Sequence, residues 1–220
     1  MDIRNIDTLL IRNFLICFQV FIAIIASIYY YKYKNSYLKY ILYLIWYATL
    51  NECFGLLYTK YINQNNSVVF NIYQIIEFSF YLFLYKNVIN STSSKNIIKS
   101  FIALYYVSII VNCFFENFLT NYFSNNFIFG ALLIVIAIVI YLIEILNSEK
   151  IIYINKSLLF WISVANLIYY VPSIPFNVVT KYYLNSPTIP YIYLISYLLS
   201  FIVFIILTAA FIWSNKEQKL

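Results

Sequence analysis

Seven long apolar stretches run through this 220-residue chain and leave it little that could fold in water. A bilayer core about 30 Å thick takes roughly 20 apolar residues per helix. The stretches 9–31, 37–59, 67–86, 97–116, 124–147, 157–179 and 190–214 each reach that length. They are continuous rather than alternating. This favours helices over a β-barrel, because backbone in lipid must satisfy its own polar groups. Charged residues are 10% of the chain, against about a quarter in soluble domains. The expected fold is an all-α, polytopic membrane protein: one seven-transmembrane-helix bundle over residues 1–220. The connections, 32–36, 60–66, 87–96, 117–123, 148–156 and 180–189, are too short to form a soluble domain.

Lysines and arginines set the expected orientation, since they collect on cytoplasmic connections. One side of the alternation holds Lys32, Lys34, Lys39, Lys86, Lys95, Lys99, Lys150, Lys156, Lys216 and Lys219. The other holds only Arg4, Arg12, Lys60 and Lys181. The N-terminus is therefore expected outside and the C-terminus in the cytoplasm, with the first span a retained anchor. The net charge of +6 is a topology signal, and no nucleic-acid partner is expected. The bilayer itself is the expected partner. Ile, Asn, Lys, Tyr and Phe share AT-rich codons, which points to an AT-rich bacterial genome and an inner-membrane, multi-pass location.

The same codon bias accounts for 25 tyrosines and 20 phenylalanines. Many fall where interfacial belts belong, with Tyr29, Tyr30, Tyr31 and Tyr33 inside and Tyr182, Tyr183 and Tyr191 outside. Cys17, Cys53 and Cys113 lie within spans and are expected to be small buried apolar residues.

Several chemistries are excluded by composition. Histidine is absent, which removes Ser-His-Asp catalysis and histidine-ligated zinc. Asp2 and Asp7 both precede the first span, so there is no intramembrane aspartate pair. Span 190–214 has no lysine to hold retinal as a Schiff base. Glycine occurs only at positions 55 and 130, so no phosphate-binding loop or GxxxG face exists. The helix count and outside N-terminus resemble those of rhodopsin-like and other seven-helix families. The resemblance ends at helix count, and no residue role follows from it. No cofactor is expected.

What remains is a small set of polar residues at membrane depth, where ionisable groups are costly and tend to face a bundle interior. Glu52 sits beside Asn51 in the second span, and Glu77 lies near the middle of the third. Asn71, Gln74 and Glu77 step by three along one face about 120° wide. Tyr105, Ser108, Asn112 and Glu116 align on the fourth span; Asn166, Tyr170 and Ser173 align on the sixth. Glu116 and Glu144 sit near span ends, where snorkelling or headgroup contact suffices. Pro172 and Pro175 are expected to kink or break the sixth helix. In the topological frame most of these groups fall in the outer half, and the inner half is expected to pack tightly.

The sequence thus predicts an outward-facing polar cavity that binds or translocates a small molecule or cation. Its candidate contacts are Glu52, Glu77, Asn51, Asn71, Gln74, Asn112, Asn166 and Ser173. No interior Lys or Arg is assigned to either glutamate, so the two could share a proton if close. The bland alternative is a pair of structural carboxyls bonded to neighbouring helices, each such bond contributing about 0.6 kcal/mol. Two other functions compete. One is a metal-independent lipid-modifying enzyme with Glu52 and Glu77 as acid and base. The other is an oligomeric pore or effector. A signalling version would need a separate cytoplasmic partner.

Overall fold

The computed structural model describes residues 8–62, 65–183 and 189–216. Seven α-helices follow one another: α1 (Thr8–Ile28), α2 (Lys39–Tyr61), α3 (Ser67–Val88), α4 (Thr92–Asn112), α5 (Ser124–Leu146), α6 (Leu158–Tyr182) and α7 (Ile189–Trp213). Each is long and apolar enough to cross a membrane, and no strand occurs among the described residues. Short 3-10 segments, Tyr29–Lys32 and Glu149–Lys156, extend α1 and precede α6.

The helices form a closed ring. Contacts run α1–α2–α3–α5–α6–α7 and back to α1, while α4 packs outside the ring against α3 and α5. The outward surface is apolar: Phe14, Leu50, Leu57, Val107, Ile110 and Ile205 are all exposed. So much exposed hydrocarbon would drive aggregation in water and suits lipid instead. Cys17 and Cys113 are exposed as well, so neither is the buried packing residue that the sequence suggested. Small polar side chains within helices return hydrogen bonds to the preceding turn, as Ser196 does to Ile192 at 2.8 Å and Thr208 to Phe204 at 2.8 Å.

The core is aromatic at its centre. The ring of Phe78 meets Tyr105, Phe127 and Tyr170 with centroids 5.7, 5.4 and 5.6 Å away. Gly130 of α5 lies directly beneath it, so closely that a Cβ there would sit 2.2 Å from the Phe78 ring. The absence of a side chain at Gly130 is what lets α3 and α5 approach across this cluster.

Charged residues at the helix ends make specific bonds. Lys32 donates to the carbonyls of Phe211, Ile212 and Ser214 at 3.2, 2.7 and 2.9 Å. These are carbonyls that the end of α7 leaves without intrahelical partners. Glu144 of α5 accepts the backbone amides of Asn90 (2.6 Å) and Ser91 (3.3 Å), just ahead of α4. A carboxylate is stabilised at a helix N-terminus, so Glu144 is a cap rather than the snorkelling residue expected from sequence.

Two further expectations change. Helix α6 runs unbroken through Pro172 and Pro175. Ser173 Oγ donates to the Tyr169 carbonyl at 2.6 Å and Asn177 donates to the Ser173 carbonyl at 2.9 Å. These side-chain bonds add local support where the prolines remove backbone donors. Tyr33, expected in an interfacial belt, is 1% exposed and donates its hydroxyl to the Ala26 carbonyl at 2.6 Å. Burial raises its phenol above the ordinary tyrosine range.

Candidate functional site

Glu77 occupies the middle of α3, with Tyr73 and Tyr81 one turn to either side on the same face. Tyr73 donates its hydroxyl to Glu77 Oε1 at 3.0 Å, and Tyr170 of α6 presents its hydroxyl to the same carboxyl. Tyr105 of α4, Tyr122 of the α4–α5 connection and Tyr169 of α6 lie near enough to feel its charge. Three helices and a connection thus gather tyrosines around one carboxyl.

This cluster has a closed side and an open one. Tyr105 is 0% and Tyr170 1% exposed, so both are packed wall. Glu77, Tyr73, Tyr81 and Tyr169 are surrounded by protein in depth, yet all four keep partial accessible surface. Tyr122 is 37% exposed from an equally deep position. Partial accessible surface at such depth is what residues bordering an internal hollow would show. Burial, reinforced by the facing Tyr169 and Glu77, pushes the Tyr122 phenol well above the usual tyrosine range. It is therefore a neutral hydrogen-bond donor at physiological pH.

Glu52 is held differently. Arg12 of α1 donates to Glu52 Oε2 at 3.1 Å, with its guanidinium 5.8 Å from the centre of the Phe70 ring. The sequence reading assigned Arg12 to topology and left both glutamates without a basic partner. The fold corrects this by bringing Arg12, early in α1, beside the C-terminal half of α2. Tyr169 lies within electrostatic reach of both Glu52 and Glu77, and Tyr197 of α7 within reach of Arg12 and Glu52. The ion pair and Glu77 therefore flank a common tyrosine. Glu52 is committed to a guanidinium, while Glu77 has no cationic partner among the described residues.

The amide candidates divide. Asn71 is fully used: its Nδ2 donates to the Phe118 and Asn121 carbonyls, each at 2.8 Å, and its Oδ1 accepts Phe123 N at 2.9 Å. It clamps the α4–α5 connection to α3. Gln74 donates weakly to the Phe123 carbonyl at 3.5 Å, and its buried Oε1 has no partner. Asn112 donates to Glu116 Oε2 at 2.8 Å. Ser173 is spent on its own helix, and Asn51 is buried on α2. Asn166 lies beside Tyr81 and Tyr85, 7% exposed, with its Nδ2 donor unpartnered. Asn166 reaches the Glu77 cluster through Tyr81, and Gln74 reaches it through Tyr105, whose hydroxyl donates to the Gln74 carbonyl at 3.4 Å.

Two further sets of bonds tie α4 to its neighbours. Ser108 donates to Asn126 Oδ1 at 2.7 Å, and Asn126 donates to the Tyr105 hydroxyl at 3.2 Å. Glu116, 9% exposed, accepts from Asn112 and pairs with Lys181 of α6. The alignment of Tyr105, Ser108, Asn112 and Glu116 was legible in the sequence, but Glu116 is a buried ion-pair partner rather than a headgroup contact.

The half expected to face the cytoplasm also differs from expectation. A cavity of about 560 Å³ opens between α2 and α3, lined among others by Tyr40, Tyr43, Tyr47, Phe80, Phe83 and Asn87. These two are the loosest of the sequence-adjacent helix pairs, because bulky rings on both helices hold the axes apart. The tyrosine cluster around Glu77 was missed for another reason. Its signal, tyrosine at four residues before and after Glu77, was present but was submerged in a general excess of tyrosine. No protein-family model, curated protein or solved structure matches the chain.

Proposed function

We propose that this protein is a non-enzymatic, multi-pass membrane protein that binds a small organic cation at Glu77, as a receptor or a compact transporter. The lysine distribution supports an N-terminus outside and a C-terminus in the cytoplasm, and the wealth of residues with AT-rich codons suits a bacterial inner membrane. The observation that carries the reading is a membrane-depth carboxyl without a cationic partner, bordered by tyrosines and by accessible space. A carboxylate supplies the charge that an ammonium group needs. Aromatic faces add about 0.5–2 kcal/mol per well-placed ring through their quadrupole. The neighbouring Arg12–Glu52 pair is neutral as a unit, so Glu77 sets the sign of the field in the hollow. The same pair weighs against an acid–base enzyme using both glutamates.

The test is titration calorimetry of the purified protein in detergent, with tetramethylammonium and choline as probes. The neutral choline isostere 3,3-dimethylbutanol serves as control. Saturable heat is expected for the cations, not for the alcohol, and is expected to vanish in Glu77→Gln. Equal binding of the alcohol, or undiminished cation binding by Glu77→Gln, would refute the reading.

A further inference from the structure

The cavity between α2 and α3 runs toward the lysine-rich ends of the two helices, and nothing above assigns it a role. Its walls are aromatic and aliphatic: Tyr40, Tyr43, Leu44, Phe80 and Phe83 are among them. At about 560 Å³ it falls within the range of roughly 300–1,000 Å³ usual for sites that hold a discrete ligand. It opens on the flank of the ring, where the bundle meets hydrocarbon, so what enters it comes from the bilayer.

Its rim is charged, and with one sign. Lys39, the first residue of α2, places its ammonium 4.9 Å from the centre of the Tyr40 ring. Lys86, near the end of α3, places its own 5.6 Å from the centre of the Phe83 ring. Both rings line the cavity, so each helix brings one ammonium group against a ring that borders it. Neither lysine has a carboxylate partner among the described ion pairs. Asn87 and the tyrosine hydroxyls add neutral hydrogen-bonding groups to the lining.

We infer that this groove is a binding site for an anionic phospholipid, with one acyl chain between α2 and α3 and the phosphate headgroup held by Lys39 and Lys86. The argument is charge complementarity joined to an apolar slot. Lysine-rimmed pockets between membrane helices suit anionic headgroups, and Leu44, Ile76, Phe80, Phe83 and Leu84 give an acyl chain apolar wall to lie against. A zwitterionic lipid would fill the same slot and gain less at the rim, because its own ammonium faces the lysines. The upper wall of the groove is Tyr47, which stacks on Tyr73 with centroids 5.8 Å apart. Tyr73 is the residue bonded to Glu77. A chain in the groove therefore buttresses one wall of the hollow, although the lipid site stands on different residues and does not depend on what binds at Glu77.

The experiment is native mass spectrometry of the full chain released from nanodiscs of equal parts phosphatidylglycerol and phosphatidylcholine. The wild type is expected to retain phosphatidylglycerol over phosphatidylcholine by several-fold. The Lys39→Gln/Lys86→Gln variant is expected to lose that preference while keeping wild-type helicity and elution volume. Leu44→Trp, which fills the slot and leaves both lysines, is expected to retain less of either lipid. Excess glycerol phosphate is expected not to displace the retained lipid. No preference in the wild type, an undiminished preference in the double glutamine variant, or displacement by glycerol phosphate would each overturn the proposal.

Discussion

Adding one methyl group at Gly130 is expected to be among the most damaging small changes the bundle can suffer. A Cβ at this position would lie 2.2 and 2.6 Å from two carbons of the Phe78 ring and 2.8 Å from the Tyr105 ring. Ordinary carbon contacts are about 3.5–4.0 Å, so the Phe78 ring must retreat by more than an ångström. It has nowhere to go, since Phe78 and Tyr105 are both 0% exposed and Phe127 and Tyr170 close the other sides. Overpacking of this kind costs about 1–3 kcal/mol, and the severity of the clash places it at the upper end. Replacing a helical glycine by alanine returns about 1 kcal/mol. The net loss for Gly130→Ala is therefore about 2 kcal/mol, or roughly 4–8 °C in Tm for a chain of this size. Gly55→Ala is the internal control: its Cβ would meet the tip of the half-buried Phe70 ring at 3.1 Å, and that ring can swing aside. Thermal unfolding in detergent, followed by helicity, reads both. Adding Phe78→Leu to Gly130→Ala is expected to recover part of the loss. If Gly130→Ala melts with the wild type, or no lower than Gly55→Ala, the packing argument fails.

Other outcomes follow from the polar contacts. Lys181→Met leaves Glu116 as an unpaired carboxylate at 9% exposure and is expected to cost about 3 kcal/mol. Glu116→Gln, which keeps an acceptor for Asn112, is expected to cost less. Asn71→Leu removes three bonds that hold the α4–α5 connection; a loss of about 3 kcal/mol is expected, with earlier proteolysis between residues 113 and 123. Arg12 and Glu52 remain about a third exposed, so a double-mutant cycle is expected to give about 1 kcal/mol or less of coupling. Measured coupling well above that would mean that the pair is sealed from water.

The fold was legible because a bilayer imposes a length on every span, and residue periodicity then follows. Span boundaries moved where short-range capping took over: α4 begins at Thr92, behind Ser91 and Glu144, rather than at residue 97. The site was only half legible. Glu77 was visible as a carboxyl within an apolar span, and Asn71 and Gln74 as its helical neighbours. Yet a 60° step per three residues turns Asn71 toward the α4–α5 connection and Glu77 toward Tyr73 and Tyr170. Arg12 could not be placed from sequence, since its partner lies 40 residues away on another helix. Tyrosine abundance hid the tyrosines that matter, because codon bias and interfacial belts explained the excess without reference to Glu77.

Thiol chemistry at the edge of the hollow bears most directly on whether Glu77 governs a space that cations can enter. In a background with Cys17, Cys53 and Cys113 replaced by alanine, Tyr122→Cys would be labelled with methanethiosulfonate reagents of similar size, one cationic and one neutral. The expected result is reaction with both, a faster relative rate for the cationic reagent while Glu77 is present, and loss of that advantage in Glu77→Gln. A cysteine that does not react, or a rate ratio indifferent to Glu77, would contradict it.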